Sequence, residues 1–221
     1  MTARLSFCSV TRGQGTKGQR VPRFLGPFAP KAWALCAGFA IFLIALQSPA
    51  ASVIGTRLDN FQLLDSSGKA YSLDDYKGKI VILAFWSFKC PVSVGYDRRL
   101  AELAKQYGPK GVVILGIDSN SDESAEAIQK NAAALDLAYP ILLDPDGVLA
   151  DRIGATHTPT IFILDRDFVV RYAGMVDNGK KPGEKGRESY AAQALDSILS
   201  DRKVAVEETK GRGCSIKRRS F

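Results

Sequence analysis

No two cysteines of this 221-residue chain stand close together: Cys8, Cys36, Cys90 and Cys214 are scattered along it, with no C-x-x-C pair. That excludes a disulfide-dense scaffold and puts any thiol chemistry on cysteines that meet only through the fold. Histidine occurs once, at His157, so a metal site would have to combine it with a cysteine far away in sequence. There are no internal repeats, which excludes a solenoid or propeller. Acidic residues are missing from the first fifty positions, which carry Arg4, Arg12, Lys17, Arg20, Arg23 and Lys31.

That last absence decides how the net charge of +7 is read. The first fifty residues contribute +6, and a tail bearing Arg202, Lys203, Lys210, Arg212, Lys217, Arg218 and Arg219 against Glu207 and Glu208 contributes +5. The body between is mildly acidic. Phosphate binding needs cations clustered on one folded face, so a nucleic-acid partner is excluded. A composition that is 46% hydrophobic and 24% charged is that of a globular protein.

The N-terminal cations precede an uncharged run, Ala32 to Leu46, and then small residues including Ser48 and Ala50. Basic, apolar and small, in that order, is the pattern of a secretory signal. As a helix the run spans about 22 Å, short of the roughly 30 Å hydrocarbon core. The expectation is a signal peptide over residues 1–50 cleaved near Ala50, with retention as an N-terminal membrane anchor the alternative. The protein would then work in the periplasm or another extracytoplasmic space, keeping only Cys90 and Cys214.

Residues 59–72 alternate around D-S-S-G and predict a β-hairpin turning at Asp65 to Gly68. K-I-V-I-L-A-F-W (79–86) is apolar without alternation, as expected of a strand buried on both faces. After Cys90 the period becomes helical through Tyr96, Leu100, Leu103 and Tyr107, ending at Gly108-Pro109. G-V-V-I-L-G-I (111–117) predicts a second buried strand. Ala125, Ile128, Ala132 and Leu135 predict a second helix capped by Ser121 or Asp122. A short helix near Val148 to Ile153, a hairpin from Thr158 to Gly174 turning at Asp165 to Asp167, and a helix from Ser189 to Leu199 complete the pattern. The order β-α-β-α-β-β-α is that of a thioredoxin-like α/β fold, a central mixed sheet flanked by helices. The domain spans residues 53–200, and 201–221 reads as a flexible basic tail.

Cys90 falls where a buried strand gives way to a helix. Free N–H groups and the helix dipole there favour a thiolate, Pro91 suits the first helical turn, and Lys89 adds a positive charge. Lowering a thiol pKa from about 8.5 to about 6 raises the thiolate fraction at neutral pH about thirty-fold. Thr158-Pro159 opens the third strand, where a proline points to a cis peptide bond. In thioredoxin folds such a loop faces the reactive thiol.

A-F-W-S-F-K-C-P-V-S (84–93), G-V-V-I-L-G-I-D-S-N (111–120), G-A-T-H-T-P-T (154–160), V-R-Y-A-G-M-V-D (170–177), A-L-D-S-I-L (194–199) and G-C-S-I-K (213–217) resemble the alkyl hydroperoxide reductase/thiol-specific antioxidant redoxins. Within that group they look most like the exported, peroxiredoxin-like branch. Ser87 and Cys90 fit the P-x-x-x-T/S-x-x-C pattern of peroxiredoxins, with Leu83 in place of its proline. Lys89 and Ser93 replace the tryptophan and second cysteine of a thioredoxin W-C-x-x-C. The resemblance implies an antioxidant-type thiol oxidoreductase, with disulfide exchange ahead of peroxide reduction. Cys90 would be the nucleophile, Ser87 and Ser93 would hydrogen-bond its thiolate, and Lys89, Pro91, Thr158 and Pro159 would position a substrate. The substrate would be a disulfide-bearing protein or a small thiol or peroxide, with no cofactor and an unidentified upstream reductant.

Cys214 lies in the tail, where no apolar pattern gives it a packing role. Three readings stay open: a resolving thiol for Cys90, half of a structural Cys90-Cys214 disulfide, or an unpaired or intermolecular thiol. A 90-to-214 link would close a loop of about 125 residues and stabilise by about 4–5 kcal/mol. Copper chaperones of the Sco type share the fold but use C-x-x-x-C, and Val94 stands at the fourth position here. A Cys90 and His157 metal site is therefore the minor alternative, within a broader reading of a non-enzymatic binding module. Arg171 and Asp177 match the family pattern without an evident chemical role.

Overall fold

A computed structural model describes residues 52–179, 184 and 187–219. The expected signal segment 1–50, its apolar run 32–46, Cys8 and Cys36 lie outside the described residues. Among the described residues no helix is long and apolar enough to cross a membrane.

The chain first forms the expected hairpin, β1 (Gln62–Asp65) and β2 (Ala70–Ser72). Asp65 Oδ1 accepts from the Ser67 and Lys69 N–H groups across its turn. A short 3-10 turn (Leu73–Tyr76) leads to β3 (Ile80–Phe85), every residue of which is buried. Helix α1 (Pro91–Tyr107), β4 (Val112–Asp118) and α2 (Ala125–Ala134) follow. Next come β5 (Ile141–Leu143), α3 (Val148–Ile153), β6 (His157–Thr158), β7 (Thr160–Leu164), β8 (Val170–Gly174), α4 (Tyr190–Leu199) and β9 (Cys214–Ser215).

The main sheet runs β2-β1-β5-β4-β3-β7-β8. Strand β3 pairs parallel with β4 and antiparallel with β7, and β4 pairs parallel with β5. This central position explains the unbroken apolar run of β3, whose side chains enter two cores. Ile80, Ile82 and Ala84 pack with Tyr96, Leu100 and Leu103 of α1, Ile128 of α2, and Ala194 and Leu195 of α4. Val81, Leu83 and Phe85 pack on the opposite face with Leu149 and Ile153 of α3 and with Leu58, Phe61 and Leu73.

Three expectations change. The cap of α2 is Ser124, whose side chain accepts from the Ala127 N–H. Ser121 and Asp122 are engaged elsewhere, by the Lys217 carbonyl and the Lys89 ammonium. Strand β5 has no counterpart in the predicted pattern, because three residues after Pro140 are too few to set a period.

The third change concerns the tail, which is extended in backbone but docked along the domain. Val204 and Ile216 are buried in the two cores. The Ala173 N–H donates to Glu207 O and the Thr209 N–H to Ala173 O, both at 3.0 Å. Thr209 crosses β8 at Gly174, which has φ +144° and where a Cβ would stand 2.1 Å from Thr209 Oγ1. These contacts are mostly backbone to backbone, so the polar composition of the tail does not announce them.

Two-sided burial of β3 has a measurable signature. Ile82→Ala and Leu83→Ala empty opposite faces, and each is expected to cost about 2–5 kcal/mol in urea unfolding. A sheet covered on one face would leave one of the two within about 0.5 kcal/mol of the parent.

Candidate active site

Strand β3 leaves the sheet at Trp86, whose N–H donates to Ile117 O at 2.8 Å. The Trp86 ring N–H donates to the buried Asp97 Oδ1 at 2.7 Å, tying this exit to α1. Burial pushes the Asp97 carboxyl up to about 6. Residues 87–89 then turn, and the Cys90 N–H donates to Ser87 O at 3.3 Å. Cys90 is the N-cap of α1, with Pro91 in its first turn. This is the place a nucleophilic sulfur needs, next to the unpaired N–H groups of a helix start.

Cys90 is 1% exposed. Its S–H donates to Thr158 O at 3.2 Å, and the Thr158-Pro159 peptide is cis. The same Thr158 pairs antiparallel with Cys214, and His157 with Ser215, as β6 meets β9. The fold therefore brings Cys90 and Cys214 together on either side of one residue's backbone. Both are free thiols in this structure.

Burial pushes the Cys90 thiol up. The Cys214 thiol, the Ser93 and Cys214 backbone and the Ser93 hydroxyl outweigh it, and the net direction is down. Ser93 Oγ is fully buried with no conventional hydrogen-bond partner, which leaves it for the sulfur. Hydrogen bonding to Cys90 raises Cys214, so the first proton leaves the pair from Cys90 while Cys214 keeps its own as a donor. This is the charge arrangement of a nucleophile beside a thiol held in reserve.

Ser87 and Lys89 are placed otherwise than expected. The Ser87 hydroxyl donates to Glu123 Oε1 rather than to the thiolate, and the Phe88 N–H donates to Glu123 Oε2 at 3.1 Å. Ser87 meets Cys90 only through its carbonyl. The Lys89 ammonium pairs with Asp122 at 3.1 Å and is half exposed, and it is not among the groups that lower the Cys90 pKa. A positive charge turned to a neighbouring loop explains why.

That loop, residues 118–123, is the part of the site the sequence did not reveal. It holds the Cys90 turn through Glu123 and Asp122, and it also holds the tail. The Ser121 N–H donates to Lys217 O at 2.9 Å, and the Lys217 N–H to Asn120 Oδ1 at 3.0 Å. Asp118, at its base, accepts from the Asn120 N–H at 2.9 Å. Burial and the adjacent Glu123 carboxylate push Asp118 up to about 8, so at neutral pH it keeps its proton. The sequence signal was only G-I-D-S-N, matched as a family stretch without a role.

His157 is exposed, and its Nδ1 lies 2.8 Å from Thr156 Oγ1. Its ring faces solvent while Cys90 is buried, and among the described residues no cluster of three metal-ligating side chains occurs. Asp177 is buried, with Arg99 at 2.6 Å and Arg187 at 3.0 Å. Arg171 pairs with Asp165 at 2.6 Å across the β7-β8 turn, away from the thiols.

In sequence, the chain is similar to known redox proteins. The AhpC/TSA family model matches residues 54–173. The thiol-disulfide oxidoreductase ResA of Bacillus cereus is 32% identical over 130 residues, which cover 59% of this chain and 74% of that protein. A solved structure of an uncharacterized conserved protein from Geobacillus kaustophilus has a TM-score of 0.69 and 29% identity, covering 76% of this chain and 93% of its own. A hypothetical protein of Sinorhizobium meliloti gives 0.69 and 28%, covering 76% and 96%.

Two substitutions test the electrostatics. Cys214→Ala removes the leading hydrogen bond to the Cys90 sulfur and should raise its pKa, read as thiolate absorbance near 240 nm against pH. The unfolded chain releases the Asp118 proton near pH 4, whereas the folded chain holds it to about pH 8. The stability contribution of this group is therefore full below about pH 4 and is lost as pH rises to about 8. Asp118→Asn keeps the shape and polarity of the side chain without a titrating proton, so its melting temperature should fall less than the parent's between pH 5 and pH 8.5.

Proposed function

Because the chain belongs to the AhpC/TSA family, we propose that it is a thiol-disulfide oxidoreductase in which Cys90 is the nucleophile and Cys214 the resolving thiol. The observation that carries this assignment is the meeting of the two thiols at Thr158, with the Cys90 pKa lowered and the Cys214 pKa raised. A merely structural pair has no need of that asymmetry. A relative named thiol-disulfide oxidoreductase supports disulfide exchange over peroxide reduction, as does Leu83 in the place of the peroxiredoxin proline.

In the reducing direction, the Cys90 thiolate attacks one sulfur of a substrate disulfide. The S–S bond breaks, the leaving thiolate takes a proton from solvent, and Cys90 is joined to the other half. Cys214 gives up its proton and attacks the Cys90 sulfur, releasing the second substrate thiolate, which is protonated in turn. The substrate has gained two electrons and two protons, and the protein holds a Cys90-Cys214 disulfide that an external dithiol must reduce. The Ser93 hydroxyl and the Ser93 N–H stabilise the Cys90 sulfur when it is the anion. The Thr158 backbone orients the attacking segment.

The basic, apolar and small-residue order of residues 1–50 supports export, and the protein is proposed to act outside the cytosol on disulfide-bearing polypeptides.

Cys90→Ser should abolish disulfide reductase activity. Cys214→Ser should trap a mixed disulfide on Cys90 and reduce turnover by at least about a hundred-fold. Mass mapping of the parent after one turnover should find Cys90 joined to Cys214. A Cys214→Ser variant with full turnover would remove Cys214 from the mechanism. Mapping after peroxide and after a disulfide substrate would separate the two oxidants.

A further inference from the structure

The docking of the tail raises a difficulty for any protein substrate. Cys90 is 1% exposed, and part of what covers it is Cys214 on β9, paired to His157 and Thr158. A polypeptide disulfide cannot approach the sulfur along that backbone while β9 is in place.

The seat is shaped for an extended chain of particular composition. Gly213 has φ +149°, a conformation that favours glycine, and a Cβ there would lie 2.0 Å from Thr158 O and 3.0 Å from Pro159 Cδ. The position before the cysteine must therefore lack a side chain. The Ile216 N–H donates to Thr156 O at 3.0 Å, and the Ile216 side chain is buried with Phe85, Ile153 and Ala155. The second position after the cysteine is thus an apolar anchor. Main-chain pairing with one buried anchor is how a sheet edge reads an added strand.

We propose that residues 213–216 are a built-in stand-in for substrate. Edge 156–158 is then a docking strand for an extended partner segment of the form Gly-Cys-x-apolar, and the tail must lift before that segment enters. The proposal rests on the oxidoreductase reading above and adds the substrate class and the competitor.

The tail is built so that only its end need move. Thr209 stays fixed through Ala173 and through Tyr172 and Met175, whose OH and N–H lie 2.8 and 2.9 Å from Thr209 Oγ1. From Thr209 to Cys214 the chain reaches at most about 18 Å. A lifted Cys214 therefore stays close to Cys90 at high effective concentration and returns when the substrate half of the mixed disulfide leaves the edge. What holds the end down is Ile216, the Lys217 bonds to the 120–121 backbone and side chain, and Arg218, which pairs with Asp151 at 2.7 Å.

The test uses the full chain carrying Cys214→Ser, alone or with Ile216→Asp or Gly213→Ala, each checked for cooperative melting. The probe is a peptide, Arg-Gly-Cys-Ser-Ile-Lys, activated as its mixed disulfide with thionitrobenzoate. The Cys90 thiolate attacks the peptide sulfur, thionitrobenzoate leaves as the coloured thiolate, and the adduct at Cys90 is counted by mass mapping so that Cys8 and Cys36 are not scored. Both lifting substitutions should speed the adduct at least tenfold. Peptides with alanine before the cysteine, or aspartate in place of the isoleucine, should react at least tenfold more slowly. Equal rates across the protein variants, or across the peptides, overturn the docking proposal and leave the oxidoreductase reading standing. No adduct at Cys90 with any activated peptide in any variant overturns both.

Discussion

The site depends on one short piece of backbone pairing, Thr158 against Cys214. The Thr158 carbonyl also takes the Cys90 S–H at 3.2 Å, so a single residue sets the position of both sulfurs. Everything around it fixes that residue or the segments that meet it. Strand β7 continues from Pro159 into the centre of the sheet beside β3, and β3 delivers Cys90. The 118–123 loop grips the Cys90 turn with one set of groups and the tail with another. Two thiols far apart in sequence are thus registered through three segments that are each anchored in the main sheet.

The forces differ on the two sides of this registration. Cys90 is held by the packed core, whose strand contributes fully buried side chains to both faces. The end of the tail is held by a few backbone hydrogen bonds, each worth about 0.5–1.5 kcal/mol net, and by Ile216, worth about 1.5–3 kcal/mol. Ordering each residue costs about 1–2 kcal/mol, so these terms nearly offset. A fixed nucleophile and a marginally held partner follow from the same structure. The asymmetry suits a thiol that must wait and a second one that must both yield and return.

How much of this could be read from the sequence follows the same division. The non-alternating run 79–86, the period after Cys90 and the proline opening the third strand are written in side chains, and they place β3, α1 and the cis-proline loop. The seat of the tail is written in glycines and backbone. Gly213 and Gly174 are small because another segment of the chain passes over them, and nothing in a polar segment shows that. Strand β5 escaped because it is three residues long. Ser87 fits a motif that would turn it to the sulfur, but its hydroxyl is taken by Glu123, an acid whose distance in sequence hides it. The Lys89 charge turns from the sulfur for the same reason, since Asp122 lies on the same distant loop.

Ser93 takes on its meaning here. A second cysteine at that position would be fixed in the first turn of α1, fully buried, and always ready to attack Cys90 whatever the substrate. With serine there, the buried hydroxyl serves the thiolate, and in the proposed mechanism the resolving role falls to a thiol on the tail. On the proposed docking, that thiol shares its seat at Thr158 with an incoming polypeptide. Resolution then cannot begin while the substrate segment occupies the edge, because the groups that align Cys214 are the ones aligning the substrate. The mixed disulfide must loosen from the edge before the tail can return. On that mechanism the lifetime of the covalent intermediate is governed by how well the partner's strand fits the edge, a dependence that a helix-bound second thiol would not have.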